Sequence, residues 1–250
     1  MKKYNILILV SLITLLSGCS HSKKDGVRTL SVTINPQKYF LEQIVGDKFD
    51  VNCIVPTGSN PESFDPAPSQ MVALSESKVF FKVGYLGIEN TLMEKAQQNN
   101  PDLKVIDCSV GILPLGGHSH DSHDNCDHDH NHDAHYGHAG GDPHIWSSPL
   151  TARTMIENMY LAVVELDEKN KDFYKANYNK LMSEINKTDS IIENYLSKAP
   201  SKGFIIYHPA LSYFAQEYEL NQYSIEYEGK NPSPLQLKEL IDTAKAEGVK

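Results

Sequence analysis

Cysteine is scarce in this chain of 250 residues: there are 4, with no CxxC pair, so a disulfide framework does not organise the fold. Positive charge is short as well. Lys and Arg number 23 against 32 Asp and Glu, giving a formal net charge of −9, the wrong sign for nucleic acid or anionic lipid and suited to attracting cations. The longest apolar run, Ile6 to Leu16, is too short for a comfortable membrane span. The motifs of hydrolytic enzymes are missing: no HExxH, no HxE with a following CxxC pair, no GxSxG and no P-loop. With 40% hydrophobic and 22% charged residues, what remains is an ordinary soluble globular composition.

The first 19 residues stand outside that composition. Lys2 and Lys3 form a charged start, Ile6 to Leu16 an apolar stretch, and Leu16-Ser17-Gly18-Cys19 places small residues before a cysteine. This resembles a bacterial lipoprotein signal, with Cys19 as the future lipidated N-terminus and residues 20–28 as a polar tether. Cleavage removes Lys2 and Lys3 and makes the net charge two units more negative. Of the other cysteines, Cys126 lies in a polar tract. An oxidising compartment would permit a Cys53 to Cys108 bridge, although two buried thiols is the reading preferred.

From Thr29 onward, short β-branched runs alternate with helical stretches. Strands are expected at Thr29 to Ile34, Phe49 to Pro56, Lys78 to Val83 and Leu103 to Cys108, with helices at Pro36 to Val45, Pro68 to Glu76 and Ile88 to Gln98. This rhythm predicts βαβ units, a mostly parallel sheet and an α/β fold. Two helices follow, Pro149 to Leu166 and Glu168 to Lys198, the second broken by no Pro or Gly. Its Tyr174, Tyr178, Leu181, Ile185, Thr188, Ile192 and Tyr195 make one helical stripe, with too much Tyr and Thr for a dimeric coiled coil. A rigid helix linking two lobes of a monomer is the expectation. The βα rhythm then resumes with strands at Gly203 to Tyr207 and Gln222 to Glu226 and helices at Leu211 to Glu219 and Leu235 to Glu247. The chain therefore divides into an N-terminal lobe (29–148), linking helices (149–199) and a C-terminal lobe (200–250) expected to be incomplete.

Within the first lobe, the stretch 116–141 carries His118, His120, His123, His128, His130, His132, His135 and His138, interleaved with aspartates. With almost nothing apolar to bury, such a tract cannot offset its own ordering entropy, so it reads as a metal-collecting loop with several weak sites, not as core. Strand ends are where ligands sit in parallel α/β sheets. Glu62 lies in the turn-rich loop after the second strand, His144 follows the fourth strand across the insertion, and His208 ends the fifth. Singly each has a bland structural explanation. Together, two imidazoles and a carboxylate suit a first-row divalent ion such as Zn, Mn or Fe.

These residues carry a resemblance. Pro56 through Pro66 with its Ser-Asn-Pro-Glu-Ser-Phe-Asp-Pro core, Lys82-Val83-Gly84, Asp142-Pro143-His144-Ile145-Trp146, Tyr207-His208-Pro209-Ala210 with Tyr213-Phe214, and Glu226-Tyr227-Glu228-Gly229 are similar to the metal-binding proteins of ABC importers for zinc and manganese. That family has two α/β lobes joined by one long helix. The resemblance implies a solute-binding protein and not an enzyme. Its cargo would be a divalent ion, zinc first with manganese or iron as alternatives, and its partners a membrane permease and, through the lipid anchor, the membrane. His144 and His208 match the family's second and third ligands. Glu62 stands where the family usually has histidine, making the site harder and closer to manganese sites. The family's fourth ligand, a carboxylate, would lie beyond Lys250. A surface metalloenzyme with an open coordination position and a metal-binding adhesin are the alternatives from other classes.

The lipoprotein reading predicts that Cys19→Ala abolishes lipid attachment and alters processing. Unchanged processing and membrane association in a fractionation blot would refute it.

Overall fold

The computed structural model describes residues 29–116, 141–226 and 230–249. Cys19, the tether, Cys126 and the eight histidines from His118 to His138 lie outside the described residues. The first lobe runs β1 (Thr29–Val32), α1 (Asn35–Val45), β2 (Asp50–Cys53), α2 (Pro68–Ser75), β3 (Val79–Lys82), α3 (Ile88–Asn99) and β4 (Lys104–Asp107). Its four strands pair in the order β2-β1-β3-β4, all parallel, with Val32 opposite Cys53 and Phe81, and Phe81 opposite Ile106. The strands are shorter than their apolar runs suggest, because pairing ends where each chain bends into its loop.

Both faces of this sheet are covered, which is why β1 and β3 read as nearly continuous apolar runs instead of alternating ones. Leu30, Val32 and Phe81 pack toward α1 and the two linking helices, while Phe80 turns to the other face with Ile54, Leu74, Leu92, Ala96 and Leu103 beneath α2 and α3. Each fully buried Leu or Phe contributes roughly 1.5–3 kcal/mol, so these two layers hold the strand ends in fixed relation. The strand exits pass very close to one another. At Gly84 the backbone has φ of 118° and an added Cβ would lie 2.3 Å from the Ser109 Oγ, so no other residue fits between the exits of β3 and β4.

Helix α4 (Pro149–Leu166) and α5 (Lys171–Leu196), joined through a short turn at Glu168–Asn170, run antiparallel. Tyr160 stacks on Tyr178 at 4.4 Å, and Arg153 reaches Asn186 and Asp189. The expected stripe on α5 is covered only in its first half. Tyr174 and Leu181 are buried and Tyr178 and Ile185 pack on the core, whereas Thr188 and Tyr195 are exposed. Past residue 185 the helix leaves the first lobe, and its ties become polar: Asp189 accepts from Tyr218 Oη at 2.7 Å and from Arg153 at 2.9 Å.

The second lobe contributes β5 (Gly203–Ile206), α6 (Ser212–Glu217), β6 (Asn221–Ser224) and α7 (Pro234–Ala246), with β5 and β6 parallel. Ser233 caps α7, its hydroxyl accepting from Gln236 N while the Gln236 side chain accepts from Ser233 N. Cys53 and Cys108 are both free thiols, the first half-buried and the second buried. Burial pushes the Cys53 thiol up to about 11, and Cys108 well above its ordinary range, so neither is a ready thiolate.

Glu89, at the start of α3, is fully enclosed in the first lobe. Its carboxyl accepts from Val83 N at 2.6 Å, from Gly84 N at 2.8 Å and, at very short range, from the Thr33 hydroxyl, binding the exits of β1 and β3 together. Burial pushes its pKa up from 4.5 to about 7, against the pull of these donors. Because the folded value lies above the ordinary one, its stabilising contribution is complete below pH 4.5 and is lost as pH rises through about 7. That change is on the order of 3 kcal/mol. Urea unfolding of metal-free protein across this range should show wild type losing stability relative to Glu89→Gln, which cannot titrate; a difference independent of pH would contradict the assignment.

Candidate metal centre

Three loops at the carboxyl edges of the strands deliver the three side chains singled out in the sequence. Glu62 sits in the loop after β2, where the Asn60 side chain accepts from Glu62 N at 2.9 Å and fixes the turn, and the Thr57 hydroxyl accepts from Asn35 at 3.1 Å. His144 precedes the short turn Ile145–Ser147, anchored by fully buried Ile145 and by Ser147 N donating to His144 O at 3.0 Å. His208 leaves β5 just before Pro209. There the pairing with β6 continues past the strand ends through Ile225 N to Ile206 O at 2.9 Å and Glu226 N to Tyr207 O at 2.8 Å. The first two residues come from one lobe and the third from the other.

They converge. The Nε2 atoms of His144 and His208 are 3.3 Å apart, and each lies 3.8 Å from Glu62 Oε1. Among the described residues this is the one gathering of three potential metal ligands, its ligand atoms all within 4.8 Å of one another. A tetrahedral ion with bonds of roughly 2.0–2.1 Å has ligand-to-ligand edges of about 3.3 Å, so the spacing is that of a coordination shell with little adjustment left to make. His144 and Glu62 are largely enclosed, while His208 keeps about a third of its side chain exposed and marks the open side.

Two further carboxylates, which the sequence reading did not single out as functional, orient the imidazoles. Asp142 Oδ1 accepts from His144 Nδ1 at 2.7 Å and from His144 N at 2.8 Å. Glu226 Oε2 accepts from His208 Nδ1 at 2.9 Å. With Nδ1–H engaged in both rings, each Nε2 presents a lone pair toward the other and toward Glu62. Such an arrangement needs a cation or a shared proton at its centre. Burial works to raise the Asp142 carboxyl, but hydrogen bonds from the His144 ring, the Ser212 hydroxyl and His144 N outweigh it and hold the group below its ordinary value, so it stays an anion. Both stand in motifs that carried the family resemblance, Asp142 two residues before a candidate ligand and Glu226 18 residues beyond His208. The Trp146 ring lies 5.1 Å from that of His144 and walls the site.

The family model ZnuA, described as zinc-uptake complex component A, periplasmic, matches residues 31–250. The high-affinity zinc uptake system protein ZnuA of Bacillus subtilis (strain 168) is 28% identical over 236 residues, covering 93% of this chain and 72% of that protein. The zinc-binding lipoprotein AdcA of Streptococcus pneumoniae (strain ATCC BAA-255 / R6) is 26% identical over 254 residues, which are 98% of this chain and 48% of AdcA, so the chain spans about half of that relative. A crystal structure of ZnuA superposes with a TM-score of 0.76 at 35% identity, covering 89% of this chain and 79% of that one. With its two parallel sheets, its long linking helix and a family match over nearly the whole described chain, this protein belongs to the ZnuA family of zinc-uptake components.

Proposed function

We propose that this protein is the extracytoplasmic solute-binding component of a metal ABC importer, capturing one divalent transition ion between its lobes and delivering it to a membrane permease. The observation that carries the reading is the pair of Nε2 lone pairs 3.3 Å apart over the Glu62 carboxylate, each ring locked by its own acidic partner. Zinc is the proposed cargo. Two imidazole nitrogens and one oxygen at tetrahedral spacing suit it, and the relatives named above are zinc-uptake and zinc-binding proteins. The ion is cargo and no bond is made or broken, so an open cleft and deprotonated ligands suffice, in keeping with a family of uptake components and not of enzymes.

Glu62 favours a second cargo. A carboxylate oxygen is a harder donor than imidazole and moves the site toward manganese or iron. The histidines from His118 to His138 are proposed to hold further ions weakly, since each ion would have to order a backbone at roughly 1–2 kcal/mol per residue fixed. A lipid anchor at Cys19 is supported by the name of the lipoprotein relative; among the described residues no helix is long and apolar enough to cross a membrane.

Two substitutions test the site. The chain has one tryptophan, so Trp146 fluorescence with a competing chelator reads binding directly. His208→Ala should weaken the tight site by at least about tenfold, roughly 1.4 kcal/mol; an unchanged titration would remove the second lobe from the site. Glu62→His should move selectivity toward zinc over manganese, and equal competition curves before and after the change would mean that Glu62 is not a ligand.

A further inference from the structure

Helix α6 begins four residues after His208, so whatever docks α6 on the first lobe also sets where His208 stands. The docking is specific at both ends of the helix. At its start Tyr213 is buried in the first lobe's core, where its hydroxyl donates to Asp142 O at 2.9 Å and accepts from Leu115 N at 3.3 Å. The neighbouring Ser212 hydroxyl bonds the Asp142 carboxylate. At its end Glu217 accepts from Leu150 N at 3.1 Å and, at very short range, from the Ser148 hydroxyl, and it lies 3.6 Å from Arg153 Nη2. The His144 ring is held by the same Asp142.

The contacts close a ring: His144 to Asp142, Asp142 to Tyr213 and Ser212, back along the chain to His208, and across 3.3 Å to His144. We propose, on the metal-site reading above, that Tyr213 is a positioning residue, whose hydroxyl fixes the Asp142 backbone and thereby the angle and separation at which the two lobes present their imidazoles. It touches no ion. Its role is to make the ligand spacing a property of the docked helix, so that the ion meets a preset pair of nitrogens without having to draw the lobes together. The long helix α5 alone would not do this, because its ties to the second lobe run through Asp189 and Tyr218, on the side chains of α5 and the far end of α6.

Tyr213→Phe removes the hydroxyl and keeps the ring. Replacing a group that orients a ligand directly costs 10–100-fold in metal affinity; one step further out, zinc and cobalt affinity should fall about three- to tenfold. The visible ligand-field band of bound Co(II), which reports coordination geometry and not stability, should shift or lose intensity. Tyr174→Phe is the control. It removes a buried hydroxyl bond to Asp167 in the same core, away from the site, and should leave both readouts at wild-type values. If Tyr213→Phe matches wild type in affinity and band, or if Tyr174→Phe moves both equally, the positioning role is overturned. Wild type that binds neither zinc nor cobalt overturns the metal reading and the role with it. Should Tyr213→Phe not fold, Ser212→Ala breaks the same ring at its other contact; a shifted band supports the proposal and an unshifted one overturns it.

Discussion

Two imidazole nitrogens face each other at 3.3 Å beside a carboxylate oxygen, and much of this structure is arranged to keep them there. Asp142 and Glu226 occupy the opposite ring nitrogens, which leaves each Nε2 turned toward the shared point. Glu62 adds negative charge on the third side. Donors held near coordination spacing need little rearrangement to meet an ion, provided that the surroundings do not let the rings rotate away.

What stops the rings rotating is packing. Ile145 is fully buried beside His144, and Trp146 lies against the same ring. The linking helices provide the frame. The first half of α5 packs on the first lobe through Tyr174, Tyr178, Leu181 and Ile185, and its second half reaches the other lobe through the hydrogen bond from Tyr218 to Asp189, a carboxylate also paired with Arg153 of α4. An apolar contact tolerates small sliding, whereas a bidentate carboxylate such as Glu217 on Ser148 and Leu150 fixes a direction. Each kind of contact thus stands where its property is needed, with volume filling deep in the lobe and direction at the junction.

Glu62 changes the balance of charge and hardness without changing the frame. The Asn60 turn that presents it depends on backbone and amide geometry, not on which side chain follows, so an imidazole at the same position would be offered to the same point. Donor chemistry and donor placement are therefore separable in this protein. Placement is spread over two lobes and many contacts, while the donor at position 62 is a single residue choice.

The alternation of β-branched runs and helical stretches was enough to read the α/β class and the seven elements of the first lobe, because period and burial on both sheet faces are local properties that each segment carries alone. The candidates Glu62, His144 and His208 were legible for a related reason: they stand just past strand ends, and a parallel sheet brings such ends to one edge whatever the details. The sequence could not say that Thr188 and Tyr195 of the α5 stripe would be left exposed and Ile192 half-buried, since that depends on what the other lobe offers them. Nor could it pair His208 with Glu226, 18 positions apart, which the pairing of β5 with β6 decides, or dock Tyr213 on Asp142, 71 positions apart, which is decided by how two lobes meet. The spacing of the imidazoles, which makes a site out of three residues, is a sum of those meetings, and no stretch of chain short enough to read by itself contains it.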